Sequence, residues 1–237
     1  PILDCFAIGE GEVILPPFID ALLEGGGREE LLERFCSLPG IYVPSIPRPK
    51  VSRQWAKELD EFATTSVVLT PNTELGGIYL MEISRGCGWG CRFCLSGYQF
   101  RPRRHRSLEC LIEQAREGLK YRKRLGLVGA SVSDHPQIDE LVTELQKMGA
   151  GLSVSSLRIR PLSRIVLRGL AESGTKTVSL APEAGAEHLR KVINKGFAED
   201  DILRAVEKVA KEGVHQLKLY FMIGLPTETD DDVMEIV

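Results

Sequence analysis

From residue 77 onward, short apolar or β-branched runs alternate with amphipathic stretches. The runs at 78–84 (IYLMEIS), 125–130 (LGLVGA), 151–157 (GLSVSSL), 176–180 (KTVSL) and 216–223 (QLKLYFMI) read as strands buried on both faces. Helical periodicity fills the intervals at 108–124, 137–148, 163–173, 187–193 and 200–212. Ser107 is placed to cap the first of these helices, and Gly149, Gly174 and Gly213 follow the ends of others. Strands alternating with helices predict right-handed crossovers and a parallel sheet, with strands ordered as in the sequence. The 78–84 strand is expected at one edge and the 216–223 strand at the other.

Upstream, 4–9 (DCFAIG) predicts a short strand, GEGE at 9–12 a turn, 13–24 a helix ended by Gly25–Gly27, and 29–36 a second helix. Residues 38–49, with Pro39, Pro44, Pro47 and Pro49, predict an extended linker. The organisation expected is therefore a tail of an upstream domain over 1–50 and an α/β core over 51–237. The chain opens at Pro1 and closes at Val237 within a helical pattern, and is read as a fragment.

Composition narrows the class. With 237 residues, 43% of them hydrophobic, the chain can bury a substantial core. A net charge of -3 argues against a general polyanion binder while leaving local patches open. Six cysteines in this length do not make a disulfide scaffold. No apolar run approaches the ~20 residues that span a bilayer, and no signal peptide is visible.

Three of the cysteines stand in GCGWGCRFCLSG, residues 86–97, as Cys87, Cys91 and Cys94. The spacing suits one face of a helix, but Gly86, Gly88 and Gly90 oppose a helix, each costing about 1 kcal/mol relative to alanine. On a loop leaving a strand's C-terminal end, the three thiolates instead suit a metal centre. Structural zinc wants four ligands, and no second CxxC occurs, so zinc would need Cys110 or His105 to complete it. An ordinary iron–sulfur cluster also wants four cysteines, whereas three leave one iron open.

The C-x3-C-x2-C loop, with the aromatic Phe93 before its last cysteine, resembles the signature of the radical S-adenosylmethionine (radical SAM) superfamily. That resemblance implies an open parallel (β/α)6 barrel, with five of its six strands present, preceded by a short strand–helix remnant. It implies a [4Fe-4S] cluster on Cys87, Cys91 and Cys94, and S-adenosylmethionine on the fourth iron. One electron would then break the sulfonium C–S bond and start radical chemistry on a substrate. The later strand ends extend the resemblance over 77–237. Gly129 and Ser131 fall in a segment (VGASVSD) that often binds the methionine amino group, with its acid displaced to Asp134. Ser156 and Arg158 follow the third strand. Glu183 in SLAPEAG matches a glutamate that often contacts the ribose, and Met222, Ile223 and Gly224 in YFMIGLPTET match a segment that reads the adenine.

PEAG together with FMIGLPTET matches a subgroup that often carries an upstream cobalamin-binding domain, whose last strand and helix GEGE also resembles. Its cobalamin-ligating DxHxxG motif appears nowhere in the chain. For GEGE the plain reading is a glycine turn with acids in the first turn of a helix. The resemblance implies a flavodoxin- or ferredoxin-type electron donor, a cytoplasmic enzyme and, within the subgroup, a cobalamin-associated member, either a methyltransferase or another enzyme that modifies hard C–H bonds. The alternative is a zinc-stabilised α/β module that binds RNA or protein, with nucleic acid held by the basic run 101–106 (RPRRHR). The plainer reading of that run is a solvated loop. Arg158 and Arg160 suit either a carboxylate ligand or nearby helical acids. His135, His188 and His215 lack ligand spacing, and Asp230–Asp232 read as a helix N-terminus.

Overall fold

The computed structural model describes residues 2–47 and 50–237; Pro1, Arg48 and Pro49 lie outside it, and with Pro49 part of the expected linker. The chain forms two units that divide after Phe62. In the first, β1 (Phe6–Ala7) leads to α1 (Gly11–Leu23), α2 (Arg28–Ser37) and β2 (Ile41–Tyr42), and β2 pairs antiparallel with β1. Ile14, Leu32, Phe35 and Ile41 form its core, with the Phe18 ring stacked on Phe35 at 4.3 Å. The two glutamates of GEGE play different parts. Glu12 lies in the first turn of α1, while Glu10 is buried, pairs with Arg53 at 2.6 Å and accepts the Ala56 N–H. Gly9 is required here, because a Cβ would stand 2.1 Å from the Gln54 carbonyl oxygen.

The second unit spans Ala63–Val237. It carries β3 (Ile78–Glu82), β4 (Ser84–Arg85), α3 (Ser96–Gln99), β5 (Arg104–His105), α4 (Leu108–Leu119), β6 (Arg124–Val128) and α5 (Ile138–Lys147). There follow β7 (Gly151–Ser153), α6 (Arg164–Glu172), β8 (Thr177–Glu183), α7 (Glu187–Val192), α8 (Glu199–Lys211), β9 (Gln216–Phe221) and α9 (Asp230–Met234). The order is β3-β6-β7, then β8-β9, all parallel, and one parallel bridge between Leu157 and Leu180 joins the two ladders. This is the α/β fold and strand order that the alternating pattern predicts. Tyr79, Met81, Leu125, Leu127, Leu152, Val178 and Leu180 point from the strands into one core, which Leu111, Leu141, Leu145, Val166 and Leu167 close from the helices. No described helix is long and apolar enough to cross a membrane.

Ser107 caps α4 by accepting the Cys110 N–H, and Gly149, Gly174 and Gly213 all adopt the positive φ of a helix C′ residue. Other elements differ from expectation. The first core helix stops at Leu119 rather than 124, and Arg124 already belongs to β6. The third strand keeps only three residues, since the chain leaves the ladder after Ser153 and returns only for the Leu157 bridge. The fourth runs on to Glu183 through a bulge. The 78–82 strand is not a bare edge. Residues 64–66 lie antiparallel along it, with Ser66 donating to the Leu80 carbonyl and Glu82 to that of Thr64. Beyond β9, no strand pairs among the described residues.

Candidate functional site

The cysteine loop is stapled at its base. β4 and β5 pair antiparallel, Ser84 with His105 and Arg85 with Arg104, so residues 86–103 leave and return at one point. Gly86 makes the exit at φ 81°, where a Cβ would stand 2.1 Å from the Phe100 carbonyl oxygen. Arg85 grips Glu82 through two bonds of 2.8 Å, and fully buried Arg106 reaches Glu82 at 3.1 Å and the Thr64 hydroxyl at 2.7 Å. The expected solvated loop at 101–106 holds for the exposed residues 101–103 and is corrected for 104–106. Arg104 and Arg106 are 8% and 1% exposed, because this run closes the staple; neither is available to a nucleic acid.

His135, read as solvent-facing or structural, is structural. Its Nδ1 accepts the Gln137 N–H at 3.2 Å, so Nε2 carries the proton and donates to the Arg106 carbonyl at 3.0 Å. His105 packs edge-on against it, ring centroids 5.2 Å apart. Burial, reinforced by the charges of His135 and Arg103, pushes the His105 pKa down to about 4, against a smaller opposing pull from Asp134. Burial lowers His135 as well, against its backbone bond to Arg106.

The far side of the loop is fastened to α7. A helix ends with carbonyls that have no intrahelical donor. Arg92 supplies donors: its backbone N–H reaches Ile193 O at 2.9 Å, and its guanidinium reaches Lys191 O and Val192 O. Asn194, at φ 56°, returns a bond of 2.8 Å to the Gly90 carbonyl. Trp89 anchors the loop to the segment after β6, donating from Nε1 to the buried Asp134 carboxylate, while the Arg158 guanidinium lies 4.1 Å over its ring.

These anchors turn Cys87, Cys91 and Cys94 into one cavity at the C-terminal ends of the strands. Phe93, Ser131, Ser156, Arg158 and Glu183 line the same cavity. The Ser131 hydroxyl is buried there with no hydrogen-bond partner. Glu183 holds φ 73°, an uncommon conformation for a residue with a side chain, just past the β8 bulge. Arg190, buried in α7, fixes the turn behind it by donating to the carbonyls of Ala184, Gly185 and Phe197. Lys195 completes the wall, 2.8 Å from Glu183 Oε1 and 5.6 Å from the Phe93 ring centroid. Sequence reading missed Lys195 and Trp89. The only signal for Lys195 was its place just after a predicted helix end.

Four residues expected near the cofactor are not among those that line this cavity. Gly129 is not in the cavity wall; a Cβ there would meet the Ser84 hydroxyl at 2.6 Å, so close packing against β4 explains the glycine. Met222, Ile223 and Gly224 do not line the cavity either, although they follow directly on the strand paired with Glu183. Met222 N–H donates to the Glu183 carbonyl at 2.8 Å, Ile223 is 73% exposed, and the Gly224 and Leu225 N–H groups both donate to Glu228. Cys110 and His105, the fourth zinc ligands considered, are also outside the cavity. Cys110 Sγ accepts a bond from Gln114 at 3.3 Å instead.

An uncharacterized protein of Methanocaldococcus jannaschii is 39% identical over 88% of the chain and 47% of its own length. An uncharacterized methyltransferase of Pyrococcus horikoshii is 27% identical over 98% of the chain and 51% of its length. The chain thus spans about half the length of these relatives. Among solved structures, the radical SAM methyltransferase TsrM from Kitasatospora setae superposes with a TM-score of 0.68 at 16% identity, over 97% of this chain and 47% of that one. The cobalamin-dependent S-adenosylmethionine radical enzyme OxsB gives 0.66 at 18%, over 98% and 35%. A family profile matches residues 81–237, from β3 through the cysteine loop to the last residue, and the chain belongs to the radical SAM superfamily.

Proposed function

We propose that the chain is the core of a radical SAM enzyme in which Cys87, Cys91 and Cys94 hold a [4Fe-4S] cluster and the adjoining cavity receives S-adenosylmethionine. The observation that carries this reading is the cavity itself. It gathers three thiols from one loop, the unpartnered Ser131 hydroxyl and the Glu183–Lys195 pair, with no fourth thiol or imidazole in its wall. Zinc draws its ligands onto one atom at about 2.3 Å, whereas cluster thiolates each bind a separate iron. Among the described residues, no three His, Cys, Asp or Glu side chains stand close enough to share a single ion. The donor set therefore fits the cluster better than zinc.

When bound, the two cofactors supply one-electron cleavage of the sulfonium C–S bond and hydrogen abstraction. The chain's own residues bind and orient. The staple and Arg92 hold the thiols in place, Ser131 offers a hydroxyl to a polar ligand atom, and Lys195 offers a cation to a carboxylate. Glu183 is a hydrogen-bond acceptor for ribose hydroxyls, and Phe93 shields the cluster side of the cavity. An electron donor of flavodoxin or ferredoxin type would serve the exposed side of the loop.

Within the superfamily, the reading favoured is a cobalamin-using methyltransferase, with residues 1–50 as the tail of an upstream cobalamin-binding domain and its linker. The Pyrococcus horikoshii relative, named as a methyltransferase and matched across both units, supports it. The test is product analysis. Protein reconstituted anaerobically with iron and sulfide, then given S-adenosylmethionine and dithionite, should release 5′-deoxyadenosine or a demethylated cofactor, and Cys91→Ala should release neither. Equal product from the variant would reject the assignment.

A further inference from the structure

The ladder that ends at Glu183 has two unlike faces. Val178 and Leu180 of β8, with Leu217 of β9, turn into the core. Side chains alternate along a strand and paired residues share a face, so the registers Thr177 with Gln216 and Ser179 with Lys218 place polar groups on the opposite face. Ala181, two residues on from Ser179, lines the cysteine cavity, as does Glu183 beyond the bulge. At about 3.3 Å per residue, Ser179 stands only about 7 Å along the strand from Ala181. A ligand of metabolite size reaches from one to the other.

The first rung is closed, with the Thr177 hydroxyl donating to Gln216 Oε1 at 2.7 Å. The next is open. Lys218 Nζ lies 5.0 Å from the Tyr220 ring centroid, and Tyr220 is 45% exposed. Ser179 stands across the ladder from Lys218, and the Lys218 ammonium beside the ring, with a smaller contribution from the Ser179 hydroxyl, holds the Tyr220 pKa below the usual tyrosine value. No carboxylate pairs with Lys218 among the described residues, and Glu183, farther along β8, is already matched by Lys195. An ammonium, a phenol and a hydroxyl converge there, all able to donate.

We propose that Lys218, Tyr220 and Ser179 form an anion-binding subsite on the face of β8 and β9 that leads to the cofactor cavity, made for a carboxylate or phosphate group of the substrate. Ammonium and hydroxyl donors give charge-assisted bonds to either group. Gripping the substrate by a remote anion would hold its reacting carbon at the cavity, where orientation carries much of the rate. Calling the ligand a substrate rests on the cofactor reading above; the anion site itself does not.

Lysine footprinting tests the site directly. The reconstituted protein is pulsed with acetic anhydride in chloride, acetate or inorganic phosphate at equal ionic strength, and acetylation is read by mass spectrometry. Lys218 labelling should fall several-fold in acetate, in phosphate or in both, while exposed Lys176 stays unchanged. Protection by acetate alone assigns a carboxylate ligand, and by phosphate alone a phosphorylated one. The Ser179→Ala/Tyr220→Phe double variant should lose the protection. Unchanged labelling of Lys218 in both anions, or full protection in the double variant, would overturn the proposal. Release of 5′-deoxyadenosine or of demethylated cofactor is measured on the same samples and should persist in Lys176→Met, a change at an exposed side chain outside the site. Absence of both products from the parent protein alongside protected Lys218 would reject the cofactor reading and leave the anion site standing.

Discussion

Lys195 Nζ and Glu183 Oε1 meet at 2.8 Å in the wall of the cysteine cavity, with both side chains mostly buried. Removing one member leaves the other charge in a poorly hydrated site, which costs more than removing both. Lys195→Met is expected to lower stability by about 2 kcal/mol. The Glu183→Gln/Lys195→Met double variant should recover part of that loss in urea unfolding. Both variants should bind S-adenosylmethionine less tightly by calorimetry. Additive losses in the double variant would mean that the pair is not coupled.

Gly86 and Gly90 frame the first half of the cysteine loop but differ in what a side chain would meet. At Gly86 a Cβ would strike the Phe100 carbonyl at φ 81°, while at Gly90 it would come 3.1 Å from the Asn194 amide, the far end of a side chain. Gly86→Ala should sharply cut iron uptake on reconstitution with the far-UV spectrum unchanged, and Gly90→Ala should keep most of it. Similar iron content in the two variants would show that the stapled exit does not set the loop.

Stability should respond to the His105–His135 pair. Because the folded pKa of His105, about 4, lies below its ordinary 6.5, the unfolded chain binds the extra proton first as pH falls. Its contribution is therefore complete above pH 6.5 and drains away down to about pH 4, and His135 acts in the same direction. The partly exposed position of His105 holds the effect to about 1–2 kcal/mol. Urea midpoints between pH 7 and 4.5 should fall more steeply for the parent than for His105→Asn. Equal slopes would refute it.

The periodicity revealed five core strands and their order because each strand's buried face is written in its own residues, as in IYLME and TVSLAPE. The cysteine triplet was legible for a similar local reason. Lys195 and Trp89 were not, since their roles come from partners far along the chain, Glu183 across a turn and Asp134 after another strand. The second half of the run at 101–106 misled because burial of Arg106 depends on Glu82 and Thr64, which no local pattern announces. The covered side of β3 escaped too: residues 64–66 (TTS) carry no strand-like alternation, and they pair through their backbone.

Electron paramagnetic resonance of the anaerobically reconstituted, dithionite-reduced protein, before and after adding S-adenosylmethionine, tests the central claim most directly. A three-cysteine cluster beside a cofactor cavity should give the signal of a reduced [4Fe-4S] centre, and its g-values should change when the cofactor occupies the open iron. Cys91→Ala should lose the signal. A signal that S-adenosylmethionine leaves unchanged, or protein that takes up zinc and no iron, would contradict the account.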